Sequence, residues 1–132
     1  MIVRKPAHWW TCLLCLLAVP QLANGEAADA PRFESDIRPI FREFCYDCHG
    51  ATTEIEANLD LRLVRFLKKG GDSGPAINLE NAAESLLLER VKSGEMPPGE
   101  AHVPADKIAI LEQWIQDGAL THRPEPEEIG PG

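Results

Sequence analysis

The sequence predicts a small all-α domain of three or four short helices. Three observations carry that prediction. Apolar residues recur at helical spacing in several separate stretches. Pro and Gly clusters cut those stretches short. No run alternates apolar and polar residues as a half-buried strand would. The chain has 132 residues, enough for one small domain.

The first 25 residues stand apart. Arg4, Lys5 and His8 precede an apolar run from Trp9 to Val19, Pro20 breaks it, and Ala23-Asn24-Gly25 offers small residues for cleavage. A basic start, a short apolar middle and a small-residue cut make a secretory signal, so residues 1–25 are read as a signal peptide and the protein as exported. The rival reading is an uncleaved anchor, but the run is too short to span a bilayer comfortably, and no stable membrane insertion is expected after cleavage. Cys12 and Cys15 leave with this segment, which makes Cys45 and Cys48 the cysteines of the mature chain.

Residues 26–32 read as a flexible leader, and the domain as residues 33–120. The first helix is expected from Ser35, because Ile37, Ile40, Phe41 and Phe44 share one helical face. Ser35 or Asp36 can cap it, and Pro39 belongs in its first turn. A second short helix is expected over about Arg62–Lys69, stopped by Gly70-Gly71. After the loop "GGDSGPA" a third is expected over about Asn81–Lys92, with Leu87, Leu88 and Val91 facing inward. The three prolines of "EMPPGEAHVP" exclude helix or strand interior there. The last helix is expected from Pro104 to Asp117, ended by Gly118, with Ile108, Leu111, Trp114 and Ile115 on its apolar face. Trp114 is expected to pack on the first helix, with Phe41 or Phe44 as partner. Residues 121–132 mix Pro124, Pro126 and Pro131 with Glu125, Glu127 and Glu128 and read as a disordered tail.

The net charge is −8, and loss of Arg4 and Lys5 with the signal makes the mature chain more acidic still. Nucleic acid is excluded as a partner, because phosphate binding needs Lys and Arg. A charged partner would be basic at its docking face.

The chemistry concentrates in "FCYDCHG" at residues 44–50. Cys45, Cys48 and His49 can serve covalent haem, zinc or a redox dithiol. Structural zinc uses two separated ligand pairs, and only His102 or Asp47 could complete this one. A redox dithiol usually opens a helix beside a sheet, and no sheet is predicted. C-x-x-C-H is the attachment signature of c-type haem: two thioethers from Cys45 and Cys48, with His49 on the iron. A haem would also supply core to a domain whose short helices are marginal alone.

Further motifs follow in order: "DIRPIFREFCYDCHG", "GGDSGPA", "ESLLLERV", "EMPP" and "ILEQWIQDGA". Over about residues 33–120 the chain resembles the planctomycete-type cytochrome c domain. The family's usual Pro-Gly pair after the glycine loop is replaced here by Asn78-Leu79-Glu80, which puts the turn there in question. The resemblance implies a small cytochrome c-like fold around one covalently attached haem c, with Met96 as second axial ligand. Independently, Met96 is the one methionine left once Met1 has gone, and Pro97 and Pro98 stiffen its loop. His102 is the rival ligand, and His122 lies remote in the tail. Arg38, Arg42 and Arg62 could pair with the haem carboxylates; spacing selects none, and Arg62 matches a family position.

Filled axial positions leave no place for substrate at the iron. The expected function is therefore one-electron transfer with an unidentified redox partner in the periplasm or an equivalent space, not catalysis. The alternatives are a haem-based sensor of small ligands, with Met96 displaceable, and a haem-stabilised subunit of a larger complex.

Overall fold

The computed structural model describes Met1 and residues 29–129, apart from residues 51 and 53. The expected signal segment lies outside the described residues except for Met1.

The described chain is all-α, as expected. It contains α1 (Arg38–Phe44), α2 (Tyr46–His49), α3 (Val64–Lys69), α4 (Leu86–Lys92) and α5 (Ala105–Gln116). Among the described residues there is no strand, and Gly71 and Gly74 form one isolated bridge.

Helical structure begins two residues before the expected Ser35. A π-helical turn, Phe33–Ile37, runs directly into α1. Neither Ser35 nor Asp36 caps α1, because the backbone there is already helical. Asp36 acts one turn earlier, its Oδ2 accepting the Arg32 N–H at 2.8 Å. Pro39 sits in the first turn of α1, where its missing N–H costs nothing.

The helix expected over Asn81–Lys92 divides in two. A 3-10 turn, Ala82–Glu84, precedes α4, and Ser85 between them is extended. Ser85 is buried, and its hydroxyl accepts the Asn78 N–H at 2.9 Å. That bond holds the serine in a non-helical conformation, as short hydroxyl side chains often do. The Asn78-Leu79-Glu80 departure also finds its structure here. Asn78 Oδ1 accepts the backbone N–H groups of Glu80 and Asn81, closing a side-chain-directed turn without a Pro-Gly pair.

The core gathers Ile37, Ile40 and Phe41 from the first helical segment, Leu87, Leu88 and Val91 from α4, and Leu111, Trp114 and Ile115 from α5. Each such side chain contributes about 1.5–3 kcal/mol when fully buried. Phe44 and Ile108, expected on the same faces, are partly buried at the edge. Trp114 is completely buried, but its partner is Phe33 (ring centroids 5.8 Å), which meets Phe41 edge-on at 6.2 Å. Sequence spacing could not find Phe33, because it precedes the expected helix start. The Trp114 indole N–H donates to the Leu120 carbonyl at 3.0 Å, and the Phe33 N–H donates to the same oxygen at 2.9 Å. One carbonyl thus clasps the two ends of the domain.

The tail is not disordered through residue 129. The Glu125 carboxylate accepts the N–H groups of Val64 and Arg65 at the start of α3. Arg65 in turn donates to the carbonyls of Pro126 and Glu127. Composition suggested a solvated tail; the open N-terminus of α3 supplies donors that a carboxylate satisfies.

Candidate haem-binding site

α1 ends at Phe44, and Cys45 leaves the helical region with φ −130°. The chain resumes at once as the single turn α2, which carries Cys48 and His49. The two cysteines and the histidine therefore project from one tight bend. Gly50 follows, and a Cβ there would fall 2.6 Å from the Tyr46 ring, so the chain can turn away from His49 only as glycine.

His49 is held twice by the segment after it. Its carbonyl accepts the Leu61 N–H at 2.9 Å. Its Nδ1 lies 3.1 Å from the Leu59 carbonyl oxygen. A carbonyl can only accept, so Nδ1 carries the proton and Nε2 keeps its lone pair for a metal.

The glycine-rich loop supplies another wall. Gly70 has φ +76°, and a Cβ would lie 1.8 Å from the Gly74 carbonyl oxygen. Glycine lets the loop fold back this tightly. The Ala76 N–H then donates to Leu67, and the Leu87 N–H to Ala76, both at 2.9 Å, which ties the loop between α3 and α4.

Met96 sits in the proline loop after α4. Its N–H donates to the Arg90 carbonyl at 3.1 Å. That carbonyl belongs to the last turn of α4 and has no helical partner of its own, so the ligand loop doubles as a helix terminator.

These pieces enclose one cavity of about 480 Å³. Cofactor clefts commonly measure ~300–1,000 Å³. Cys45, Cys48, His49 and Met96 all line it. So do Phe44, Leu59, Leu61, Leu87, Val91 and Pro97, which give it apolar walls. An apolar cleft carrying two thiols, an imidazole with a free Nε2 and a thioether fits a covalent haem. The competing chemistries fit less well. Among the described residues no three His, Cys, Asp or Glu side chains converge to hold a metal ion. Burial, with a smaller effect from Cys48, pushes the Cys45 thiol up to about 12. A redox dithiol needs the opposite, an accessible thiolate.

The other sequence candidates lie elsewhere. His102 does not line the cavity. The His122 ring is 3.0 Å from the Ser35 hydroxyl, where the tail meets the N-terminal turn. None of Arg38, Arg42 and Arg62 lines the cavity. Arg62 is committed to Asp60 through Nε and Nη2, closest at 2.8 Å. The cavity's arginine is Arg90 on α4, which spacing did not single out. It stands one turn from Leu86 and Leu87 on a face that sequence reads simply as core.

The fold and the cleft define the class: a helical domain built around a c-type haem attachment bend. Residues 45–100 match the family model described as Planctomycete cytochrome C, and this stretch is similar to a planctomycete-type cytochrome c domain. The matched stretch runs from Cys45 past Met96 and is shorter than the 33–120 over which the motifs resemble the family. Neither a curated protein nor a solved structure matches the chain. That family model implies covalently bound haem, and domains of this kind are typically extracytoplasmic. No helix among the described residues is long and apolar enough to cross a membrane.

Proposed function

We propose that the protein is an exported one-electron carrier with a single haem, held through thioethers to Cys45 and Cys48 and ligated by His49 and Met96. The observation that carries the reading is the shared cavity: the one methionine after Met1 lines the same cleft as the three residues of the attachment motif. When bound, the haem supplies a reversible Fe(III)/Fe(II) couple. The chain's own residues do the rest. Leu59 orients the His49 imidazole through its carbonyl. Arg90 anchors the Met96 loop through its carbonyl. Phe44, Leu59, Leu87 and Val91 keep water from the cleft. With His49 and Met96 both holding the iron, a bound haem would offer substrate no open coordination site, which favours a carrier over an enzyme.

Partner chemistry follows from charge. Glu43, Asp47, Glu56 and Asp72 line the cavity and are exposed, with Arg90 the one Lys or Arg among its lining residues. An acidic rim favours a redox partner with a basic face and makes their encounter slow down in salt.

Spectra of the reduced and oxidised holoprotein, with and without CO, test the reading. The carrier predicts a saturated, CO-resistant ferrous site and a weak red band of Met–iron coordination in the ferric form. Rapid CO binding by the wild type would make the protein a ligand sensor instead.

A further inference from the structure

We infer that Arg90 is the residue that receives a haem carboxylate and, through it, raises the reduction potential. The inference rests on the haem reading above. A haem brings two carboxylates into its cleft. The side chains lining this cleft offer them four carboxylates, Glu43, Asp47, Glu56 and Asp72, and one guanidinium, Arg90. Repulsion from the first group and attraction to the second leave one favourable place for a haem carboxylate.

The placement of Arg90 supports the role. It stands on α4 beside Leu87 and Val91, two apolar wall residues, and its side chain is 34% exposed. The guanidinium is therefore partly screened but adjacent to an apolar cleft, where a charge acts more strongly than in bulk water. Its Nη1 already meets Glu95 across the ligand loop. The planar fork has five N–H donors, so one carboxylate on Nη1 leaves others for a second. Arg62, the arginine that matches a family position, has spent its fork on Asp60 outside the cavity.

Arg90 also ties its site to the Met96 loop at two points, its carbonyl to the Met96 N–H and its side chain to Glu95. A purely structural role through this clamp is the competing explanation, and the test separates the two. A cation beside the haem opposes the extra positive charge of the ferric state. Arg90→Gln should therefore lower the reduction potential while the ferric Met–iron band persists. Arg90→Lys should recover part of the fall, because it restores the charge without the fork. Glu95→Gln removes the clamp and leaves the cation, and should not lower the potential. The inference is overturned if Arg90→Gln leaves the potential unchanged, if the Met–iron band disappears with the fall, or if Glu95→Gln reproduces it. Should Arg90→Gln fail to mature, resonance Raman of Arg90→Lys decides. A shifted haem-carboxylate bending mode supports the contact, and an unmoved mode refutes it. A wild-type holoprotein without thioether-bound haem would instead remove the underlying reading before any variant is compared.

Discussion

The His49 Nδ1 stands 3.1 Å from the carbonyl oxygen of Leu59, ten residues along the chain. The acceptor that fixes the imidazole tautomer is backbone, so no substitution at Leu59 can delete it directly. It can be disturbed through the turn that sets up the approach. Gly50→Ala would press a Cβ against Tyr46 at 2.6 Å. Overpacking of this kind costs about 1–3 kcal/mol. The expected outcome is a lower melting temperature of the holoprotein and a broadened or shifted His–iron signature; an unchanged variant would mean that the bend after His49 is softer than the contact indicates.

Met96→Ala should lower the reduction potential, because a thioether favours ferrous iron, and should open the ferrous form to CO. His102→Ala should do neither, since His102 is outside the cavity. Redox titration of the two variants decides between Met96 and a bis-histidine iron, which would show the opposite pattern.

Trp114 is buried completely at the clasp between the chain ends. Trp114→Ala should cost about 3–5 kcal/mol by opening a cavity against Phe33. Trp114→Phe keeps most of the volume but leaves the indole's bond to Leu120 unmade, and should cost about 1–3 kcal/mol. Denaturant unfolding of the holoproteins measures both. Equal costs would mean that the volume lost with alanine contributes little beside the hydrogen bond; a phenylalanine variant as stable as the wild type would mean that the bond contributes little.

Glu125 binds the two N–H groups that open α3. Glu125→Ala should cost about 1 kcal/mol, as loss of a helix cap does. Truncation after Leu120 should cost at least as much and should expose residues around Arg65 to proteolysis. A truncated domain as stable as the full chain would show that the tail contacts do not persist in solution.

Asp36 supplies a pH-dependent element. The Ser35 hydroxyl, then the Arg32 N–H, hold its carboxyl below the usual carboxylate range. A depressed folded-state value contributes stability above the unfolded value of about 3.9, and that stability is lost as pH falls through the lower folded value. Asp36→Asn should therefore be less stable than the wild type at neutral pH, with the difference shrinking in acid. A difference that grows in acid would contradict the assignment.

Much of this molecule was legible because its signals are local. C-x-x-C-H places three site residues within five positions, and the faces of α4 and α5 follow from helical spacing. What sequence did not show depends on contacts between distant segments. The Phe33–Trp114 pairing joins the two ends of the domain. Ser85 breaks a helical run because Asn78 reaches its hydroxyl. The tail looked disordered by composition because its partner, the start of α3, lies some sixty positions away. Arg90 was overlooked because its place in the cleft exists only once α4 is set against the attachment bend.

The central claim is that Cys45, Cys48, His49 and Met96 surround one covalently bound haem. Protein made alongside cytochrome c maturation machinery should be denatured, extracted with acidified organic solvent, and read by its pyridine spectrum. The account predicts that the colour stays with the polypeptide, at one haem per chain, with the spectrum of two thioether bonds, and that Cys45→Ala with Cys48→Ala loses it. Haem that passes into the organic layer, or a colourless protein carrying stoichiometric zinc, would contradict it.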